Sequence, residues 1–389
     1  MMRARITVGI VTAIVACASV ITPSPPASAA MFSPPVTSVQ ARAASTTAVA
    51  PPVVSAQAQA ANAAFLAYAP APPSLGAMCL VDTGVNPTPD TSPTLAYATA
   101  LDGGSPNDND PEGHGTLLAI LAGGQGHGLR GIWPQIKIVS VRATSPAPAG
   151  QTPTYQYENY VQALRACLQL SKYNIKTVNL SLSSTIPPTP NQSTEFAQAV
   201  SQLTSRGIAI VAAAGNAPGK VQYPGAEPGV LSVGAGTIAG GICSFSASEG
   251  VGLFAPGCEL DFADPFADEY EPNEYVQGTS DASDMTDTSL TALMSYAPTL
   301  TVAQDENLLV TTAVNGHLNV AGAFEAAGLA NVVAAGNAAI PPEPSPASPA
   351  PPAHVTRPSL HKTTKHHKKK HKRRKRKGRD RRRTRGRKR

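Results

Sequence analysis

The chain has 389 residues, 42% hydrophobic and 5% aromatic, with 37 prolines and a formal charge of +6 at pH 7. From Arg357 onward 20 Lys and Arg face one acid, Asp380, a local charge of +19 that leaves −13 for the preceding residues. Two or three domains would fit the length, but with charge and proline so unevenly spread, one packed acidic domain of about 250 residues with a basic tail is the economical count. No aromatic residue interleaves the tail, which argues against base stacking as its purpose.

At the N-terminus, Met1-Met2-Arg3-Ala4-Arg5 precedes an apolar run from Ile6 to Ile21 and a small-residue site at Ala27-Ser28-Ala29. That is the pattern of a secretory signal peptide over residues 1–29, and a run of about 16 residues is too short for a comfortable membrane span. Ile14-Val15-Ala16-Cys17 is the competing feature, a loose lipoprotein box that would make Cys17 a lipid anchor. Residues 30–76 are rich in Ala, Pro, Ser, Thr and Val and read as a linker, too short and repetitive for a folded inhibitory propeptide.

From Met78 short apolar runs alternate with amphipathic stretches, the signature of a parallel sheet with helices on its faces. The expected strands are CLVD, Ile136–Val141, Thr177–Leu182, Ile208–Ala214 and Val230–Ala235. The expected helices are Tyr157–Tyr173, Thr194–Arg206, Ser289–Ala297 and Asn319–Leu329. A packed domain over 77–335 then gives way to a Pro-rich spacer over 336–358 and a polybasic tail over 359–389 with nothing apolar to bury, for which disorder is the expectation.

Four segments within the domain carry chemistry. CLVDTGV places Asp82 just after a buried strand, EGHGTLLAILAGG places His114 at the head of an apolar helix, IAIVAAAGN ends a strand at Asn216, and VQGTSDAS presents Ser280 at a helix start. A hydroxyl at the positive end of a helix suits an attacking oxygen and its oxyanion. A serine is a poor nucleophile at neutral pH and needs a base within reach, which His114 supplies. That imidazole in turn needs a carboxylate to hold its tautomer, and Asp82 is the candidate.

In these motifs and in their order, Asp, His, Asn, Ser, the stretch from about Met78 to Leu329 resembles the subtilisin-like serine peptidases, the subtilases. The resemblance implies a three-layer α/β fold with a mostly parallel central sheet, Asp82, His114 and Ser280 as catalytic residues, and Asn216 as the oxyanion donor. It also implies that an extended peptide pairs with Leu180, Ser181, Leu182 and Ser183 on one side and Ala213, Ala214 and Gly215 on the other. Of three connectivities open to the four cysteines that follow the signal segment, it favours Cys243 with Cys258 and therefore Cys79 with Cys167. The chemistry requires no cofactor. Acidic clusters at Asp102–Glu112, including Asp108 and Asp110, and at Asp261–Glu274 are candidates for structural calcium, although neither matches a specific loop motif.

The sequence departs from the family after the nucleophile, where Asp281, Asp284 and Asp287 stand on a helix expected to be buried and therefore need partners. The expectation is a secreted or envelope-associated bacterial endopeptidase that forms its acyl-enzyme on Ser280, acts on proteins or peptides, and attaches through its tail to anionic envelope polymers or lipids. The alternative is an impaired homologue that only binds polyanions at the envelope.

Overall fold

The apolar runs pair into one sheet. In the computed structural model, which describes residues 53–102, 110–125, 129–144, 156–263 and 270–342, seven strands lie side by side. They are β1 (Ala77–Asp82), β2 (Leu95–Ala100), β3 (Lys137–Arg142), β4 (Ile175–Leu180), β5 (Ala209–Ala213), β6 (Leu231–Gly236) and β7 (Leu253–Pro256). Their order is β7-β6-β5-β4-β1-β3-β2, and every neighbouring pair is parallel. The fold is therefore α/β with a mostly parallel central sheet, as expected. The sheet's edges are β2 and β7, and β2 is the one not foreseen: it reads LAYATA, is only partly buried, and lacks the β-branched run that marked the inner strands.

Besides the short helix Ala56–Ala60, the described residues form seven helices: α1 (His114–Gly123), α2 (Tyr157–Gln169), α3 (Pro190–Thr204), α4 (Thr279–Tyr296), α5 (Val302–Thr311), α6 (Val320–Ala326) and α7 (Ala330–Ala339). α3 begins four residues earlier than Thr194 because Thr189 and Gln192 form a reciprocal cap around Pro190 at the first helical position.

Alternation along each strand sends neighbours to opposite faces. Met78 and Leu80 of β1 pack with α1 and α4, whereas Ala77, Cys79 and Val81 pack with α2 and α3. Cys79 therefore faces α2, where it is bonded to Cys167; the second disulfide joins Cys243 and Cys258. On β4, Val178 and Leu180 face α2 and α3, which leaves Thr177 and Asn179 facing α4.

Two boundaries differ from the sequence reading. Residues 53–75, placed in the linker, are packed: Val53–Val54 pairs with Leu129–Arg130, Ser55 caps the helix Ala56–Ala60, and Phe65 meets Phe324 edge to face at 5.1 Å. The reason is composition at two points: Phe65 and Leu66 supply bulk that an Ala/Pro stretch otherwise lacks, and they are 2% and 0% exposed. At the other end α7 runs to Ala339, because alanine favours helix and Val332 and Val333 have a core to bury against. The remaining spacer, the tail and the signal segment lie outside the described residues.

Candidate active site

Asp82 is the last residue of β1 and His114 the first of α1. Asp82 Oδ1 lies 2.7 Å from His114 Nδ1 and accepts the Thr83 N–H at 2.8 Å. Asp82 is 1% exposed and the imidazole 18%. Close approach of α1 to the β1 loop depends on Gly115, where a Cβ would lie 2.2 Å from the Gly84 carbonyl oxygen. Burial pushes the imidazole down, but the charge and hydrogen bond of Asp82, helped by Asp281 and Asp110, raise it to about 9.

The start of α1 is tied by a residue the sequence reading had assigned to a calcium cluster. Asp110 Oδ1 accepts from Gly113 N at 2.9 Å and Thr83 Oγ1 at 2.6 Å, and its Oδ2 accepts from Thr116 N at 2.7 Å and Thr116 Oγ1 at 2.6 Å. Thr83 Oγ1 in turn accepts the Gly115 N–H at 2.9 Å. Burial pushes the Asp110 carboxyl up, against the Thr116 and Thr83 hydrogen bonds that hold it down. Four donors and no acceptor fit an anion at a helix N-terminus, and leave Asp110 no oxygen for calcium. Asp110 lies three residues before the N-cap, Gly113, so the ordinary capping pattern did not mark it.

Nearby, Asp102 is paired with Arg142 at 2.8 Å. Among the described residues no group of three or more His, Cys, Asp or Glu could hold a metal ion. Residues 103–109 and 264–269, and the side chains of 261–275, lie outside the description.

Ser280 is the second residue of α4, and its Oγ donates to the Ser181 carbonyl at 2.7 Å, just beyond the end of β4. Asn216 follows β5. Its Oδ1 accepts both the N–H and the hydroxyl of Thr279 at 2.9 Å, which turns the amide nitrogen away from α4's first residue and keeps it as a donor. Thr279 Oγ1 also accepts the Gly215 N–H at 3.1 Å, so one threonine, overlooked in the sequence, fixes the end of β5 to the start of α4. Helices α1 and α4 pack against each other, and the charge of Asp281, next to Ser280, acts on His114. Leu180 ends β4 with Ser181, Leu182 and Ser183 beyond it; Ala213 ends β5 with Ala214 and Gly215 beyond it.

Every residue of α4 is buried, and three carboxyls share one side of it. Burial raises Asp281 to about 6, with the His114 charge opposing. Burial raises Asp284 well above the usual carboxylate range, and the charges of Asp287, Asp281 and Asp82 add to that. Burial does the same to Asp287 against one hydrogen bond, from Thr177 Oγ1 at 2.6 Å. Asp284 has only the Asn179 amide, at 3.5 Å. Asp281 Oδ1, Asp284 Oδ2 and Asp287 Oδ1 have no hydrogen-bond partner among the described residues. With so few donors, burial favours the neutral form of both Asp284 and Asp287. Among the described residues, the partners they find are the Thr177 hydroxyl and the Asn179 amide.

A carboxylate-held imidazole, a serine hydroxyl at a helix start and a side-chain amide donor all lie at the carboxyl edge of a parallel sheet, where open α/β folds place their sites. The subtilase family pattern matches residues 77–329, and the chain belongs to that family of serine endopeptidases. Subtilisin Savinase of Lederbergia lenta is 29% identical over 266 residues, covering 66% of this chain and 89% of that protein. The MycP3 protease of a type VII (ESX-3) secretion system superposes with a TM-score of 0.57 at 25% identity, over 69% of this chain and 88% of its own. The psychrophilic protease S41 superposes with a TM-score of 0.53, also at 25% identity, over 61% of this chain and 83% of its own.

Proposed function

We propose that this subtilase is a secreted endopeptidase in which Ser280 attacks the scissile carbonyl, His114 takes and returns the proton, Asp82 holds the imidazole, and Asn216 Nδ2 with the Ser280 N–H receives the oxyanion. The observation that carries the reading is the 2.7 Å contact between buried Asp82 and His114 Nδ1, because it commits Nδ1 to the carboxylate and so gives the part of base to Nε2. In the resting arrangement the Ser280 proton is directed at the Ser181 carbonyl, so attack begins with the hydroxyl turning to the imidazole.

Two disulfides support an oxidising compartment for the mature chain. The basic tail would hold the enzyme to anionic envelope polymers or lipids; retention of the full chain on a polyanionic resin, lost steeply between about 50 and 200 mM salt, tests this part. Hydrolysis of unfolded casein by the purified protein, abolished in Ser280→Ala, tests the rest. A second reading, an impaired homologue serving as a polyanion-binding envelope protein, draws on one observation, the donor-poor carboxyls of α4. Folded, secreted protein that binds polyanion and leaves casein uncut at every pH would favour it.

A further inference from the structure

We propose that the Gln222 carboxamide floors the pocket for the residue on the acyl side of the scissile bond, so that this site selects small side chains, alanine, serine and glycine, over aromatic and long aliphatic ones. The inference rests on the endopeptidase reading above and names the substrate class of that same site.

The acyl residue must make two contacts at once. Its carbonyl carbon has to meet Ser280 Oγ, which rests 2.7 Å from the Ser181 carbonyl at the end of one segment. Its oxygen has to face Asn216, which follows Gly215 at the end of the other segment, and Gly215 N is itself tied to Thr279 Oγ1 at 3.1 Å. The resemblance to subtilases places an extended peptide between the segments Ser181–Ser183 and Ala213–Gly215, so the side chain of that residue enters the gap between them.

Gln222 closes the inner end of this gap. Its backbone N–H donates to the Ala214 carbonyl at 2.8 Å, and its Oε1 accepts the Ser183 hydroxyl at 3.1 Å, so the residue spans both segments. A Cβ built on Gly215 would lie 2.2 Å from Gln222 Cδ and 2.4 Å from Oε1. The carboxamide is thus laid flat against the bare α-carbon of Gly215, whose φ of +107° also favours glycine. It is held in place from both sides and is 9% exposed, so it occupies room that a large side chain would need. Displacing it would break its bond with the Ser183 hydroxyl, which is 7% exposed.

The test uses two hexapeptides identical except for Ala or Phe at the residue preceding the scissile bond. The wild-type enzyme is expected to cleave the Ala peptide with a kcat/KM at least about 10-fold higher, and Gln222→Gly to bring the ratio to unity or reverse it, within the ~10–200-fold range that pocket volume commands. Binding of the same peptides to Ser280→Ala provides a readout that needs no turnover: the Ala peptide is expected to bind about 10-fold more tightly. Selective binding without any cleavage by wild type would sink the endopeptidase reading and keep the assignment of Gln222. Equal binding, tighter binding of the Phe peptide, or no binding of either peptide would overturn the assignment. So would a Gln222→Gly protein that folds and retains the wild-type preference.

Discussion

Asp110 and Asp284 are buried to nearly the same depth, 1% and 0% exposed, yet they are built into the molecule in opposite ways. Asp110 receives four donors, two of them N–H groups at the start of α1, and holds the imidazole's helix as an anion. Asp284 and its neighbour Asp287 sit along α4, whose own N–H groups are consumed by the helix, and receive between them one amide at 3.5 Å and one hydroxyl at 2.6 Å. The difference teaches that burial alone does not decide the state of a carboxyl. Free backbone donors do, and a helix offers them only in its first turn.

The largest effect should come from the carboxylate bonded directly to the imidazole. Asp82→Asn is expected to lower kcat by about 10⁴-fold, the established scale for losing this partner in serine peptidases, with little change in folding. A loss under 10-fold would break the distinction between reacting and supporting carboxyls. Next in size, Asp110→Ala strands four donors at about 1–3 kcal/mol each if fully unsatisfied, so a destabilisation of several kcal/mol is expected in urea unfolding. A change within 0.5 kcal/mol, the ordinary scatter of surface substitutions, would show that those donors find water.

The third prediction concerns pH. Asp284 and Asp287 are raised in the folded state, so the stability they contribute is fully present below the unfolded carboxylate value of about 3.9 and is lost as pH rises through their folded-state values. The slope is at most about 1.4 kcal/mol per pH unit for each group. The double variant Asp284→Asn, Asp287→Asn should flatten the profile measured by urea midpoints across pH. A wild type that gained stability over the same range would reverse the assignment.

Smaller still is the effect of Asp281, whose charge helps raise His114 to about 9. Asp281→Asn should move the acid limb of kcat/KM to lower pH, because less charge then favours the imidazolium; an unmoved limb would remove Asp281 from the site's electrostatics. The finest comparison pairs two isosteric changes. Thr83→Val removes one of four donors that favour the charged form of Asp110 and should cost about 1.5–3 kcal/mol, whereas Thr177→Val removes one from Asp287, whose burial favours the neutral form, and should cost about 0.5–1.5 kcal/mol. Equal costs would mean that the two carboxyls share one charge state.

Much of this organisation was legible in the chain. The inner strands announced themselves because they are short β-branched and apolar runs buried on both faces, and Asp82, His114, Asn216 and Ser280 could be named because each sits where a strand or helix ends. The edge strand β2 could not, since a partly exposed Ala-rich strand carries no such pattern. Phe65 and Leu66 were hidden in a linker-like composition, although two bulky residues there were enough to anchor the segment. The roles of Thr83, Thr279 and Gln222 depend on contacts across tens of residues, with Thr83 meeting Asp110 and Gln222 meeting Ser183, and no local pattern encodes those. The three aspartates of α4 were visible as an anomaly, but whether hydroxyls or a cation answered them depended on Thr177 and Asn179 facing that helix from β4.

The central claim is that His114 activates Ser280 for attack, and active-site labelling reads it most directly. A fluorophosphonate probe added to the folded protein, followed by peptide mass analysis, should place the adduct on Ser280, faster as pH rises toward 9, and give none in Ser280→Ala or at a comparable rate in His114→Ala. An unlabelled Ser280 in folded protein across that pH range, or labelling that proceeds unchanged without His114, would contradict the account.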